Sequence, residues 1–265
     1  MKIRNTEFNM QETTYVMAIL NVTPDSFSDG GLHNSTDEAV DHALAMIDEG
    51  AAIIDIGGES TRPGHEKVDA KTELSRVVPV IEALRKKSDI PISIDTTKPE
   101  VVRAAMEAGA DIINTVEGIG AGAEMFDAVK NTGAFFVMTH EGSYVNQFAS
   151  ALDDMAKRAI DAGIDAGKII VDPGVGFGKT QDENLRIINE LPLITQCSYP
   201  LLLGTSRKSV IGNVLSVPTN ERLPGTLVTT TLAALAGVAF VRVHDVKENV
   251  RAIKMLSAIC NSSNR

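Results

Sequence analysis

The sequence predicts an α/β protein built as a single (β/α)8 TIM barrel, and three observations carry that expectation. Eight short apolar runs rich in Val, Ile and Leu recur along the 265 residues, each followed by a stretch with helical spacing. The runs are apolar almost throughout instead of alternating, as parallel strands covered on both faces should be. Chemistry-bearing side chains gather at the C-terminal ends of these runs, whereas the opposite ends hold mostly Ala, Gly, Pro and Lys. A length of roughly 250 residues is typical of one such barrel. An open doubly wound sheet is the competing architecture, and the number of strands favours closure.

Taken in order, the expected strands are 16–21 (VMAILN), 51–56 (AAIIDI), 91–95 (PISID), 111–114 (DIIN), 134–138 (AFFVM), 168–172 (KIIVD), 200–204 (PLLLG) and 239–243 (AFVRV). Helical spacing covers 36–49, 69–87, 98–108, 122–131, 149–166, 181–191, 221–237 and 245–262. The first helix opens on the start signal Ser35, Thr36, Asp37 and Glu38. The third has Pro99 in its first turn, where a missing N–H is harmless. Gly50, Gly109 and Gly167 stand where helices should stop. Residues 1–14 read as a polar extension, and no linker, repeat or change of composition divides 1–265 into more than one domain.

Composition narrows the function. The formal net charge is −10, which argues against a nucleic-acid surface, because phosphate backbones demand a basic face. Cys197 and Cys260 have no CxxC spacing and read as reduced thiols of a cytoplasmic protein. The opening MKIRNTEFNMQETTY lacks an apolar signal core, and no apolar run approaches the roughly 18 residues of a membrane span.

The C-terminal ends of barrel strands are where such folds do chemistry. Here those ends present Asn21, the loop Glu59 to Arg62, Asp95, Asn114, Met138 with His140, Asp172, Ser206 to Lys208, and Arg242 with His244. One such Asp is more often a helix cap than a catalyst; eight converging polar ends are not explained by caps. Asp95, Asn114 and Asp172 match the donor and acceptor edge of a flat heterocycle, where a carboxylate can accept two charge-assisted hydrogen bonds from an N–C–N group. Lys208, Arg242 and His244 fall after the last two strands, where barrels often hold phosphate. Arg242 is embedded in the apolar run AFVRV, a poor place for a merely solvated cation.

Other motifs fail on spacing. DPGVGFGKT (172–180) has Pro173 where a phosphate-binding P-loop needs its first Gly, and its GxGxG is not the dinucleotide fingerprint. The five histidines form no HExxH or His/Cys cluster, so zinc is not expected, and no GxSxG elbow marks a serine hydrolase.

The segments ILNVTPDSFSDGG (19–31) and DIGGESTRPG (55–64) resemble the two signatures of the dihydropteroate synthases. SIDTTKPEV (93–101), DPGVGFGKT (172–180), GTSRKSVIG (204–212) and VRVHDV (241–246) are similar to further segments of that family in the same order, so the likeness spans about residues 16–260. The resemblance implies a homodimeric barrel enzyme of folate synthesis. It would displace diphosphate from 6-hydroxymethyl-7,8-dihydropterin diphosphate by the amine of p-aminobenzoate, assisted by Mg²⁺, and be a sulfonamide target. Asp95, Asn114, Asp172 and Lys208 would hold the pterin, with Met138 lining it and Arg242 stacking on it. Asn21, Arg242 and His244 would take the diphosphate, with Asn21 close to Mg²⁺. Asp95, Lys208, Arg242 and Asn21 would thus form the catalytic set. Thr61, Arg62, Pro63, Phe177 and Ser206 would shape the p-aminobenzoate and sulfonamide pocket, and Asp25 and Ser26 would lie in a mobile loop.

Three other readings fit part of the pattern: an inactive pterin-binding paralogue, a pterin-dependent methyltransferase of the same fold, and a lysine Schiff-base aldolase. GESTRPG and SRKSVIG favour the synthase over the methyltransferase, and neither Lys168 nor Lys208 sits where the aldolase needs its lysine.

Overall fold

The computed structural model describes residues 1–23, 32–59, 68–116, 122–143 and 148–262, with backbone alone for 32–35. A short antiparallel hairpin, β1 (Lys2–Ile3) and β2 (Thr6–Glu7), precedes the parallel strands. These are β3 (Tyr15–Asn21), β4 (Ile53–Gly57), β5 (Ile92–Asp95), β6 (Ile112–Thr115), β7 (Phe135–Thr139), β8 (Ile169–Asp172), β9 (Leu202–Leu203) and β10 (Phe240–Val243). Their spatial order is β8-β7-β6-β5-β4-β3-β10-β9. The parallel bridge between Val171 and Leu201, with the Val171 N–H donating to Pro200 O at 3.0 Å, joins the two ends of that order. The sheet is therefore a closed barrel, and the doubly wound alternative is set aside.

The surrounding helices are α1 (Leu32–Asp48), α2 (Ala70–Lys87), α3 (Pro99–Ala108), α4 (Ala123–Lys130), α5 (Phe148–Asp161), α6 (Gln181–Asn189), α7 (Leu191–Ile194), α8 (Ser209–Leu215), α9 (Leu223–Leu235) and α10 (Val246–Ser262). Gly50 and Gly109 follow α1 and α3 with φ of +106° and +110°, the left-handed stop their positions predict. The helix expected to reach 166 ends at Asp161 instead, because Gly163 takes that conformation (φ +97°) while Gly167 lies in a 3-10 turn. No helix of the described residues is long and apolar enough to cross a membrane.

Alternation along each strand sorts the core into two clusters. Outward residues such as Ile54, Ile94, Ile113, Phe136, Val171 and Val241 pack under the helices. Inward residues Met17, Ile53, Ile112, Val137, Ile170, Leu202 and Phe240 fill the lower half of the barrel. The N-terminal segment, read from sequence as polar, closes that end. Ile3 and Phe8 are buried in the inner cluster, and the Phe8 ring meets Phe240 edge-on at 5.4 Å. Two residues further along β4, β6, β7, β8 and β10 the inward positions turn polar, at Asp55, Asn114, Thr139, Asp172 and Arg242.

Candidate active site

The strand register aligns these polar residues pair by pair and not at one level, since Arg242 stands opposite Met17 of the inner cluster. Asp95 pairs across with Asn114 and Gly57, Thr139 with Asp172, and Arg242 with Met17, all parallel. The same two-residue step that puts Ile53, Ile112 and Ile170 inside also turns Asp55, Asn114 and Asp172 inward above them. Asp55, Asp95, Asn114 and Asp172 are all buried, so each must find a partner within the barrel.

Arg242 is the hub of one half. Its Nε donates to Asp55 Oδ2 at 2.5 Å and its Nη2 to Asp95 Oδ2 at 2.5 Å, while Asn114 Nδ2 donates to the same Asp55 oxygen at 3.1 Å. Lys208 and Asp172 make the other half. Asp172 Oδ1 accepts from the Gly174 N–H at 2.7 Å, and Lys208 Nζ donates to Val175 O at 2.6 Å and lies 4.3 Å above the Phe177 ring. Gly204 faces both groups at ordinary contact distance. A Cβ there would stand 3.5 Å from Asp172 Oδ2 and 3.7 Å from Lys208 Nζ. On the rim, Ser206 Oγ is 3.0 Å from His244 Nδ1 and accepts the His244 backbone N–H at 3.1 Å. A cleft of about 290 Å³ opens above, lined among others by Asn21, Phe177, Ser206, Lys208, Arg242 and His244.

Burial dominates the ionisation of this site. It pushes Asp95 up to about 7, with Arg242 pulling the other way and Asp55 adding to the rise. Asp172 is likewise raised by burial against the pull of Lys208 and the Gly174 N–H. Lys208 is brought down to about 8 by burial, opposed chiefly by Asp172. Arg242 is raised above its ordinary value: burial lowers it, but the charges of Asp55 and Asp95 outweigh that. The site thus holds two carboxylates biased toward their neutral forms, one easily discharged lysine and one permanent cation.

The structure brings Asn21, Asp95, Asn114, Asp172, Phe177, Ser206, Lys208, Arg242 and His244 to one end of the barrel, as their strand-end positions predict. Met138 is a correction. It pairs with Thr115 and Val171, faces outward and is wholly buried among the strand–helix core, so it does not line the mouth. Thr139, one residue on, has the inward position beside Asp172. Asp25, Ser26, Thr61, Arg62 and Pro63 lie outside the described residues. Arg207, one of the rim cations, instead pairs with Asp245. Two further residues of the site do not stand at strand ends. Asp55 sits inside AAIIDI, and the signal that singled out Arg242, a charge within an apolar strand, applies to it equally. Lys179 bonds the His140 and Phe177 carbonyls, a role that sequence spacing does not announce.

A closed barrel with an acceptor-lined floor and a cationic rim is the architecture of a pterin-binding enzyme, and the family so described matches residues 17–244. Dihydropteroate synthase of Clostridium beijerinckii is 48% identical over 98% of this chain and 99% of its own length. Among solved structures, that of the Clostridium difficile dihydropteroate synthase in the presence of pteroic acid is 46% identical. It superposes with a TM-score of 0.89, covering 96% of this chain and 99% of the other. The Yersinia pestis dihydropteroate synthase with a sulfonamide drug complex is 38% identical, with a TM-score of 0.89 over 98% and 99% of the two chains. The chain belongs to the dihydropteroate synthase family.

Proposed function

We infer that the chain is a transferase that condenses 6-hydroxymethyl-7,8-dihydropterin diphosphate with p-aminobenzoate, giving 7,8-dihydropteroate and diphosphate. The observation that carries this reading is the make-up of the mouth, where the buried acceptors Asp95, Asn114 and Asp172 stand among the cations Arg242 and Lys208, with His244 on the cleft wall. A flat ring with a donor edge fits the floor while its anionic substituent reaches the rim.

In this reading Asp95, Asn114 and Asp172 orient the ring through charge-assisted hydrogen bonds, and Lys208 donates to a ring heteroatom. A ring donor at Asp95 takes the place of Arg242 Nη2, while Nε stays with Asp55. The guanidinium is then free to stack on the ring and to turn its fork toward the diphosphate. Arg242, His244 and Asn21 hold that group as negative charge grows on it. The C–O bond at the methylene breaks, the C–N bond to the aromatic amine forms, and the amine's proton leaves to water. The nucleophile needs orientation more than activation, so no covalent enzyme intermediate is required. Phe177 and Ser206, with Thr61, Arg62 and Pro63, would receive p-aminobenzoate and its sulfonamide analogues.

Among the described residues no three His, Cys, Asp or Glu side chains converge as a ready-made metal cage. Mg²⁺ keeps much of its water and takes only one or two protein oxygens beside substrate phosphates. Asn21, on the cleft wall, would supply one oxygen, and the ion would neutralise the departing diphosphate.

The finer assignments have separate support. The free thiols of Cys197 and Cys260 suit the cytoplasm. Val228, Leu232 and Leu235 on α9 and Met255 and Ile259 on the adjacent α10 are exposed apolar side chains at helical spacing, a surface that a homodimer would cover. The test of the reaction is direct: purified protein with Mg²⁺ should release diphosphate only when both substrates are present, and sulfonamides should compete with p-aminobenzoate. Diphosphate release without condensed product would assign the chain to a pterin-binding paralogue that lacks the transfer.

A further inference from the structure

The loops that leave β7 and β8 are bound edge to edge. His140 N–H donates to Asp172 O at 2.9 Å and Gly142 N–H to Phe177 O at 3.3 Å. The approach is so close that a Cβ on Gly174 (φ +74°) would stand 1.8 Å from His140 O, and one on Gly178 (φ +64°) 2.9 Å from Gly142 N. Such a junction brings two carbonyl oxygens, His140 O and Phe177 O, to one point. Lys179 Nζ meets both, at 2.9 and 3.0 Å.

We propose that Lys179 is a positioning residue for the transfer reaction: its ammonium fastens the loop after β8 to the loop after β7 and so fixes Phe177 on the p-aminobenzoate side of the cleft. This rests on the reading of Phe177 given above.

Phe177 is then held from two sides, its carbonyl by Lys179 and its ring by the Lys208 ammonium 4.3 Å away. A lysine suits the position because two converging carbonyls want a cation with several donors and a long stem. Asp172, Glu183 and Glu141 favour its charged form, while burial draws its pKa down to about 8. His140 contributes its backbone carbonyl and N–H to this junction. Burial, then the Lys179 and Arg158 charges, lower its imidazole to about 4, so the ring is neutral beside the ammonium at neutral pH. Of the pterin floor, Asp95 and Asn114 stand on β5 and β6, outside the junction, whereas Asp172 shares it through its backbone carbonyl, with its side chain directed to the Gly174 N–H.

Steady-state kinetics of Lys179→Met with both substrates and Mg²⁺, beside calorimetry with free pterin, test the proposal. KM for p-aminobenzoate should rise about tenfold, the scale of one or two lost charge-assisted hydrogen bonds, while pterin affinity stays within about twofold. Lys179→Arg, which keeps charge and reach, should recover most of that loss. Wild-type turnover in the same assay tests the reaction itself, so a change confined to the variants speaks to Lys179 alone. If Lys179→Met does not fold, Lys179→Gln is read in the same way. An unchanged KM for p-aminobenzoate, an equal loss of pterin affinity, or failure of both neutral variants to fold would overturn the proposal.

Discussion

At the lower end of the barrel Ile3, Phe8, Met17 and Phe240 fill the space between the strands. Higher on the same strands, Asp55, Asp95, Asp172 and Arg242 occupy inward positions of the same kind. The lower end gains stability from every side chain it buries, at about 25 cal/mol per Å² of apolar surface removed from water. The upper end does the opposite. Burial raises Asp95 and lowers Lys208, so folding disfavours in each the charged form that binding uses. One set of strands thus serves as a stabilising plug and as a strained polar mouth, and the two ends should respond to mutation in opposite currencies.

The largest effect is expected at the plug. Phe8→Ala empties a fully enclosed site against Tyr15 and Phe240, so urea unfolding should show a loss of about 3–5 kcal/mol, with KM for both substrates unchanged in the folded fraction. A shift in either KM would mean the two ends are coupled. At the mouth the pattern reverses. Asp172→Asn presents an N–H toward a donor edge and should weaken pterin binding by about 2–4 kcal/mol, while stability stays level. Calorimetry that finds pterin affinity unaltered would remove Asp172 from the floor.

A smaller effect separates the two cations of the mouth. Arg242→Lys keeps the charge but loses plane and fork, and should weaken the diphosphate ester about tenfold more than the free pterin. Lys208→Met should weaken free pterin. Equal losses of both ligands in both variants would abolish the division between floor and rim.

The smallest effect is in pH. Asp95, at about 7, offers two charge-assisted acceptor oxygens only when ionised, so affinity should fall as pH drops through that value. Lys208, at about 8, donates as an ammonium, so affinity should also fall as pH rises past it. Free-pterin binding should therefore peak between them, with a change of roughly two- to five-fold over a pH unit on either side. Asp95→Asn should flatten the acid limb. A profile flat from pH 6 to about 9 would show that other groups set the charge of the floor.

Much of the molecule is legible along the chain. The run AFVRV, expected at 239–243, forms β10 at Phe240–Val243, and VMAILN forms most of β3, because strands covered on both faces need unbroken apolar runs. The hairpin at Lys2 to Glu7 is not, since two-residue strands are too short to show a period. Nor is α8, which begins inside SRKSVIG and has no capping side chain at its start. In the site, Asp95, Asn114 and Asp172 stand out because each ends an apolar run. Asp55 is hidden two residues before its strand ends, and Met138 and Thr139 exchange faces with a single step of register.

The order of residues by itself determined that eight parallel strands would form, that their C-terminal ends would be polar, and to which family the chain belongs. These depend on local pattern, and local pattern survives in one dimension. Only the tertiary structure decided that Arg242 would be shared between Asp55 and Asp95, that Phe8 would plug the lower end, and that Lys179 would reach two carbonyls of different loops. Each depends on residues far apart in sequence, Arg242 with Asp55, Phe8 with Phe240 and Lys179 with His140, that closure of the barrel makes neighbours.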